Sequence, residues 1–269
     1  MSLLEFIGFF GAFMVGLIMG LTGSGGSVLS VPILAYLFNY NEKVATAYSL
    51  FIVGATALIG SFRAFRENKI SKGLVLYFGV PAIVGVVLVR RLILHWLPDV
   101  LFSFGTFDFT RRMLVFGLFG ILTAYTGYSM LAKSKINLAE FRSSNLHLKS
   151  WLPIAGVLLG MLVGLIGAGG GFLIVPMMMS IAKISFKKAV ATSLVIVCLN
   201  SLVGFFLGDF VHLEINWSFL LTFVMLSFLG ILIGGTLVRY IDGERLKKGF
   251  AYFLLFMSLC ILIIEFKYH

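Results

Sequence analysis

One glycine-broken apolar motif occurs twice in this chain, and it constrains the fold more than any other feature. Residues 16–32 read GLIMGLTGSGGSVLSVP and residues 160–176 read GMLVGLIGAGGGFLIVP, a constant 144 positions apart, with nine of the seventeen positions identical. The shared residues include Gly23/Gly167, Gly25/Gly169, Gly26/Gly170 and Pro32/Pro176, and the register continues through Ala45/Ala189, Ser49/Ser193 and Gly60/Gly204. Interrupted hydrophobic segments in matching places of two halves are the sequence pointer to a binding site between transporter repeats.

Composition then fixes the solvent. The chain is 60% hydrophobic and 12% charged, where soluble proteins carry roughly 25% charged residues. This predicts an all-α polytopic membrane protein. The formal net charge of +10 falls almost wholly between apolar runs, which reads as loops facing the cytoplasm rather than a nucleic-acid surface. Cys198 and Cys260 lie within apolar runs and read as small hydrophobes. The four histidines show no metal-ligand spacing, so neither a metal nor a cofactor is expected.

Continuous spans are predicted at 44–62, 73–89, 113–132, 188–207, 217–238 and 248–265. Segments 3–39 and 151–183 differ. Each has an apolar arm, a glycine break and a shorter arm expected to open near Pro32 or Pro176. The second arms, 28–39 and 172–183, would make about 18 Å of helix at 1.5 Å per residue, too short for a hydrocarbon core of roughly 30 Å. Either each broken segment crosses once and the halves are parallel, or each is a hairpin and the halves are inverted. Lys plus Arg divide 9 against 12 across the membrane in the parallel arrangement and 15 against 6 in the hairpin one. The positive-inside bias favours the hairpins. The expected architecture is therefore two inverted repeats, each a glycine-broken hairpin followed by three transmembrane helices. Residues 1–132 form the first repeat, 133–150 a basic cytoplasmic linker and 151–269 the second repeat, with both termini outside. Arg90, Arg91, Arg111 and Arg112 fit this poorly, because they fall in an outer connection, 90–112, whose aromatics suit the membrane interface.

A half-helix start offers backbone N–H groups without intrahelical partners and a positive dipole end, so it binds anions without a basic side chain. The expected site is formed by Gly23, Ser24, Gly25, Gly26 and Ser27 in the first cluster and Gly167, Ala168, Gly169, Gly170 and Gly171 in the second. Ser49, Thr192, Ser193 and Asn200 would add polar groups from the following helices. An uncharged donor cage holds an anion weakly enough to release it. Glycines such as Gly16, Gly20, Gly160, Gly164, Gly230 and Gly234 read instead as helix-packing positions, and single hydroxyls commonly bond their own backbone. No catalytic residue is expected. No histidine lies in a span to activate Ser24, and Glu5, Asp209 and Glu265 lie at segment ends, which argues against a carboxylate relay.

The doubled Gly16–Pro32 and Gly160–Pro176 pattern, each followed by a small-residue helix (Ala45–Ser49, Ala189–Ser193), resembles the TauE/SafE family of membrane anion exporters over about residues 11–265. The resemblance implies export of sulfite, or of organosulfonates such as sulfoacetate, across the cytoplasmic membrane. The expected partners are a small anion, the lipid bilayer and, in a homo-oligomer, further copies of the chain; no nucleic acid is expected. The reading is a secondary transporter working by alternating access around the two breaks. An anion channel and a non-transporting membrane assembly factor remain as alternatives.

Overall fold

The computed structural model describes residues 3–23, 25–67, 70–104, 107–132, 145–182 and 184–267. The described residues are almost entirely helical. Helix α1 (Leu3–Thr22) leads through the first glycine cluster into α2 (Ser27–Pro32), which continues as a π-helical stretch, Ile33–Leu37. Helix α3 (Glu42–Arg66) follows. The next rod is composite: α4 (Lys72–Leu74), a π-helical stretch Val75–Gly79, α5 (Val80–Leu88), a second π-helical stretch Val89–Ile93 and α6 (Leu94–Trp96). A small antiparallel hairpin, β1 (Val100–Phe104) and β2 (Phe107–Thr110), precedes α7 (Arg111–Leu131). The second half comprises α8 (Asn145–Ile166), α9 (Gly171–Ile181), α10 (Phe186–Gly204) with a π-helical extension Phe205–Asp209, α11 (Trp217–Leu237) and α12 (Gly243–Lys267).

Among the described residues, seven helical segments are long and apolar enough to cross a bilayer, and the protein is a multi-pass membrane protein. Six of them match the six spans read from the sequence; the seventh is Glu5–Thr22. Side chains such as Phe6, Leu58, Ile121, Met225 and Phe256 are more than half exposed. Such a girdle suits lipid rather than water.

Sequence dictates several helix starts. The side-chain oxygens of Asn41, Thr110 and Asn216 accept hydrogen bonds from the N–H groups of Val44, Met113 and Phe219, capping α3, α7 and α11. Each satisfies a backbone donor that would otherwise lack a partner.

Small residues set which helices touch. Helices α1 and α11 run parallel: Ser227 Oγ donates to the Ala12 carbonyl at 2.8 Å, and Gly16, Gly20, Gly230 and Gly234 meet the opposing backbone so closely that a Cβ would clash. The glycines at 85, 160 and 164 bring α5 and α8 together in the same parallel sense. A shift of 144 residues carries α1 onto α8 and α11 onto the α4–α6 rod. The two glycine-zipped pairs therefore correspond, with their partners exchanged between the halves. Helices α3 and α10 cross antiparallel, with Gly54 against Leu202 and Gly60 against Leu194. Close approach of this kind replaces the hydrophobic drive that lipid does not supply.

The chain turns back at both glycine clusters. Phe9 of α1 and Phe38, just beyond α2, have ring centroids 5.3 Å apart, and a Cβ on Gly26 would strike the Val15 carbonyl. Helices α8 and α9 likewise run back on each other, with Ala155 and Ser180 lining one cavity. The connections 63–72 and 239–249 share one end of the bundle, where Arg239 pairs with Glu67 at 2.6 Å and the Ser71 N–H donates to Thr192 Oγ1 at 3.1 Å. Most of the linker, residues 133–144, lies outside the described residues.

The connection at 90–112 is shorter than its sequence suggests, because the rod runs on as helix to Trp96. Arg90 is thereby inside the protein, 1% exposed, and paired with Asp209. Arg111 pairs with Glu42 and Asp99, and Arg112 with Glu265 at 3.1 Å. Three of the four arginines that strained the charge count are thus neutralised within the fold. Lys43 and Arg111 beside Asp99 hold its carboxyl below its ordinary pKa. Trp96, 85% exposed, and Phe102 remain outward-facing, as interfacial aromatics do.

Candidate functional site

The half-helices α2 and α9 begin partway along their neighbours rather than at their ends. Gly26 lies opposite Val15, near the middle of α1, and α1 is zipped there to the middle of α11. Gly170 lies against Val163, at a level where Gly164 meets Val86 of α5. Helices α2 and α9 touch each other. Both starts therefore sit deep in the bundle, and both turns use the backbone freedom of glycine. Gly23 has φ +91°, Gly167 +73° and Gly170 +69°, conformations that cost an L side chain about 1–2 kcal/mol.

Pro32 and Pro176 do not open these helices. Each is the sixth residue of its helix, five positions after Ser27 or Gly171. Neither can donate to the carbonyl four residues back. After Pro32 the helix widens into its π-helical stretch, whereas α9 continues as α-helix to Ile181. The glycines make the breaks, and the prolines modulate the arms that follow.

The two breaks have different surroundings. Gly23 packs against Val190 of α10, and Gly25 packs against Phe250 of α12 and donates its N–H to Thr22 Oγ1 at 3.2 Å. Ser24 lies outside the described residues. Ser27 is wholly buried, and its hydroxyl has no hydrogen-bond partner among the described residues. Ser30 and Ser49 share a hydrogen bond of 2.6 Å, pinning α2 to α3. In the second break Ala168 is fully buried. Gly167 packs against Thr46 and the Nη2 of Arg90, and Gly169 against Val53, Val197 and Ser201.

The polar residues on α10 separate by role. Thr192 donates to the Lys188 carbonyl at 2.9 Å and Ser193 to the Val190 carbonyl at 2.9 Å, local bonds of the kind common in membrane helices. Asn200 is fully buried, and neither amide atom has a partner among the described residues. The α3/α10 register places Thr56 level with Asn200, and Thr56 Oγ1 and Ser201 Oγ are also unpaired there. An unsatisfied buried amide costs about 1–3 kcal/mol. Three such residues at one crossing mark a polar spot in an otherwise apolar core.

The sequence reading missed a charged pair. Nη1 of Arg90 bonds Asp209 Oδ1 and Oδ2 at 3.2 and 3.0 Å and Thr46 Oγ1 at 3.3 Å. The cage around the second break is therefore not uncharged, and Asp209 is not merely a segment-end residue. Arg90 ends the apolar run 73–89 and Asp209 follows the run 188–207. Opposite charges at span ends on one side of the bundle were the available signal.

At the opposite end, a cavity of about 540 Å³ is lined by Gly20, Arg63, Lys187, Val190, Gly235 and Arg239, among others. It reaches Val190, the residue against which Gly23 packs.

A family model described as sulfite exporter TauE/SafE matches residues 8–261. A probable membrane transporter protein of Methanocaldococcus jannaschii is 29% identical over 197 residues, covering 71% of this chain and 67% of that protein. A probable membrane transporter protein of Xylella fastidiosa is 26% identical over 253 residues, 93% of this chain and 91% of that one. The probable membrane transporter protein YunE of Bacillus subtilis is 27% identical, with 84% and 86% covered. No solved structure gives a significant match.

Proposed function

The chain belongs to the sulfite exporter TauE/SafE family, and on that premise we propose that it is a secondary transporter exporting a small oxyanion across the cytoplasmic membrane, sulfite or an organosulfonate such as sulfoacetate. That it is a membrane transporter and not an enzyme follows from the family itself. The substrate and the mechanism are our reading.

One observation carries that reading: two half-helices start deep in the bundle, each after a glycine turn, and touch each other. Helix starts of this kind attract an anion through backbone donors and the dipole. The substrate site comprises Gly23, Ser24, Gly25, Gly26, Ser27 and Ser49 from the first repeat and Gly167 to Gly171, Thr192, Ser193 and Asn200 from the second. The unpaired groups of Ser27 and Asn200 support this assignment. The repeats are inverted, with both termini outside and the linker 133–150 in the cytoplasm. The antiparallel crossing of α3 and α10, which correspond by the 144-residue shift, and the clustering of basic connections at one end favour that topology. In the conformation described, the cavity lined by Arg63, Lys187 and Arg239 leads from the basic end toward the first break, while Arg90 and Asp209 close the second. Alternating access exchanges these two conditions.

The test is uptake of sulfite and sulfoacetate into liposomes holding the purified protein, with and without a pH or Na⁺ gradient. Saturable flux with counterflow is expected. Flux that neither saturates nor shows counterflow would make the protein a channel, and absence of flux for both anions would remove the substrate assignment.

A further inference from the structure

Arg90 uses only one part of its guanidinium. Nη1 holds Asp209 and Thr46, whereas Nε and Nη2 have no partner among the described residues although the side chain is fully buried. These two nitrogens form one edge of the planar group, the edge that grips two oxygens of a carboxylate or other oxyanion in parallel hydrogen bonds. The unused edge is not turned away from the site. Nη2 lies so close to Gly167 that a Cβ there would collide with it, so a buried and unpartnered donor faces the second glycine turn. Arg90 and Asp209 both sit in π-helical stretches, Val89–Ile93 and Phe205–Asp209, distortions frequent at functional sites. Positions 234 and 65, which correspond by the 144-residue shift, hold Gly234 and Phe65. The charged pair, which bridges the two halves, therefore has no counterpart beside the first glycine turn.

We propose that the free Nε–Nη2 edge of Arg90 is the charged contact for the transported oxyanion at the second glycine turn, and that Asp209 offsets the arginine's charge so that the anion is released. This rests on the transporter reading above and adds to it a specificity-determining residue. An unneutralised buried arginine would hold an anion too tightly to conduct it. A paired one presents two directed donors with little net charge. The site then prefers anions that can offer two oxygens of one centre to this edge, as sulfite and sulfonates do with two of their three.

The experiment compares wild type, Arg90→Lys and Asp209→Asn in proteoliposomes, with labelled sulfite and sulfoacetate in counterflow. Lysine keeps the charge but loses the fork, and should raise KM about tenfold or more. Asp209→Asn removes the opposing charge and should lower KM about threefold or more while slowing turnover. An unchanged KM in Arg90→Lys overturns the assignment. If Arg90→Lys does not yield monodisperse protein, Asp209→Asn decides alone, and a KM that is unchanged or raised overturns it. If the wild type carries neither anion, the substrate reading fails first. The arginine's role is then judged by anion-induced thermal shifts of the same proteins with sulfite, sulfoacetate and sulfate. Shifts equal to wild type overturn it, and shifts lost in Arg90→Lys support it.

Discussion

Nη1 of Arg90 lies 3.0 Å from Oδ2 of Asp209, joining the end of the first repeat's second continuous span to the end of the second repeat's first one. The bond ties the α5 rod to α10 beside the second glycine turn, where Thr46 of α3 also meets the guanidinium. Three elements and one helix break thus share a single buried ion pair.

Breaking that pair from either side should be costly. Removing one partner of a buried ion pair leaves an uncompensated charge, worth about 3–5 kcal/mol. Arg90→Ala and Asp209→Ala should each lower the thermal unfolding midpoint in detergent by many degrees. The double replacement Arg90→Gln with Asp209→Asn should recover much of the loss, because both charges then disappear. Additive losses in the double variant would show that the two residues do not act as a pair.

The second turn should not accept a side chain. Gly170 has φ +69° and abuts Val163, and Gly167 has φ +73° and abuts Arg90 and Thr46. Gly170→Leu should abolish transport, and Gly167→Ala should reduce it about tenfold, given the roughly 1–2 kcal/mol of backbone strain plus the clash. Gly249→Ala, where a Cβ meets nothing within 4 Å, should leave transport intact. Wild-type flux in Gly170→Leu protein that reaches the membrane would remove this turn from the site.

The zipped helices make a separate prediction about stability. A Cβ at Gly230 would collide with the Phe13 carbonyl and one at Gly16 with the Ser227 carbonyl. Gly230→Val should force α1 and α11 apart and cost about 1–3 kcal/mol, as overpacking does. Unfolding in mild detergent against denaturant measures it; a midpoint equal to wild type would contradict the observed contact.

Accessibility tests the conformation. In a background with Cys198 and Cys260 replaced, Lys187→Cys lines the cavity at the basic end and should react quickly with a membrane-impermeant thiol reagent. Thr46→Cys, buried behind Arg90, should react slowly from either side until an anion gradient drives turnover. Fast labelling of Thr46→Cys in resting protein would mean that the second break stands open.

Much of this architecture is legible in the residues themselves, for particular reasons. The run 113–132 must be a span because twenty predominantly apolar, uncharged residues have no other favourable environment, and it is found as Arg111–Leu131. The glycines at 16, 20, 230 and 234 could be read as contact positions because lipid offers no other reason for that spacing. Pro32 and Pro176 misled, because a proline is compatible with a helix start but is also tolerated within a short helix whose neighbours compensate for the lost bond. Ser49 and Ser193 correspond in sequence yet differ in use: one bonds Ser30 of the half-helix, the other bonds the Val190 carbonyl.

What the sequence alone determined were the local quantities: which segments are apolar enough to span, where the helix must break, and that both recur at one interval. These depend on residue type and spacing along a few turns. Which groups meet across distance was settled by packing alone. Arg90 and Asp209 are 119 positions apart, and nothing local to either requires the other. Their meeting depends on the crossing of α3 and α10 and on the packing of the α5 rod. Buried charge in a membrane protein is stable only when it finds a partner, and the fold, not the sequence neighbourhood, supplies that partner.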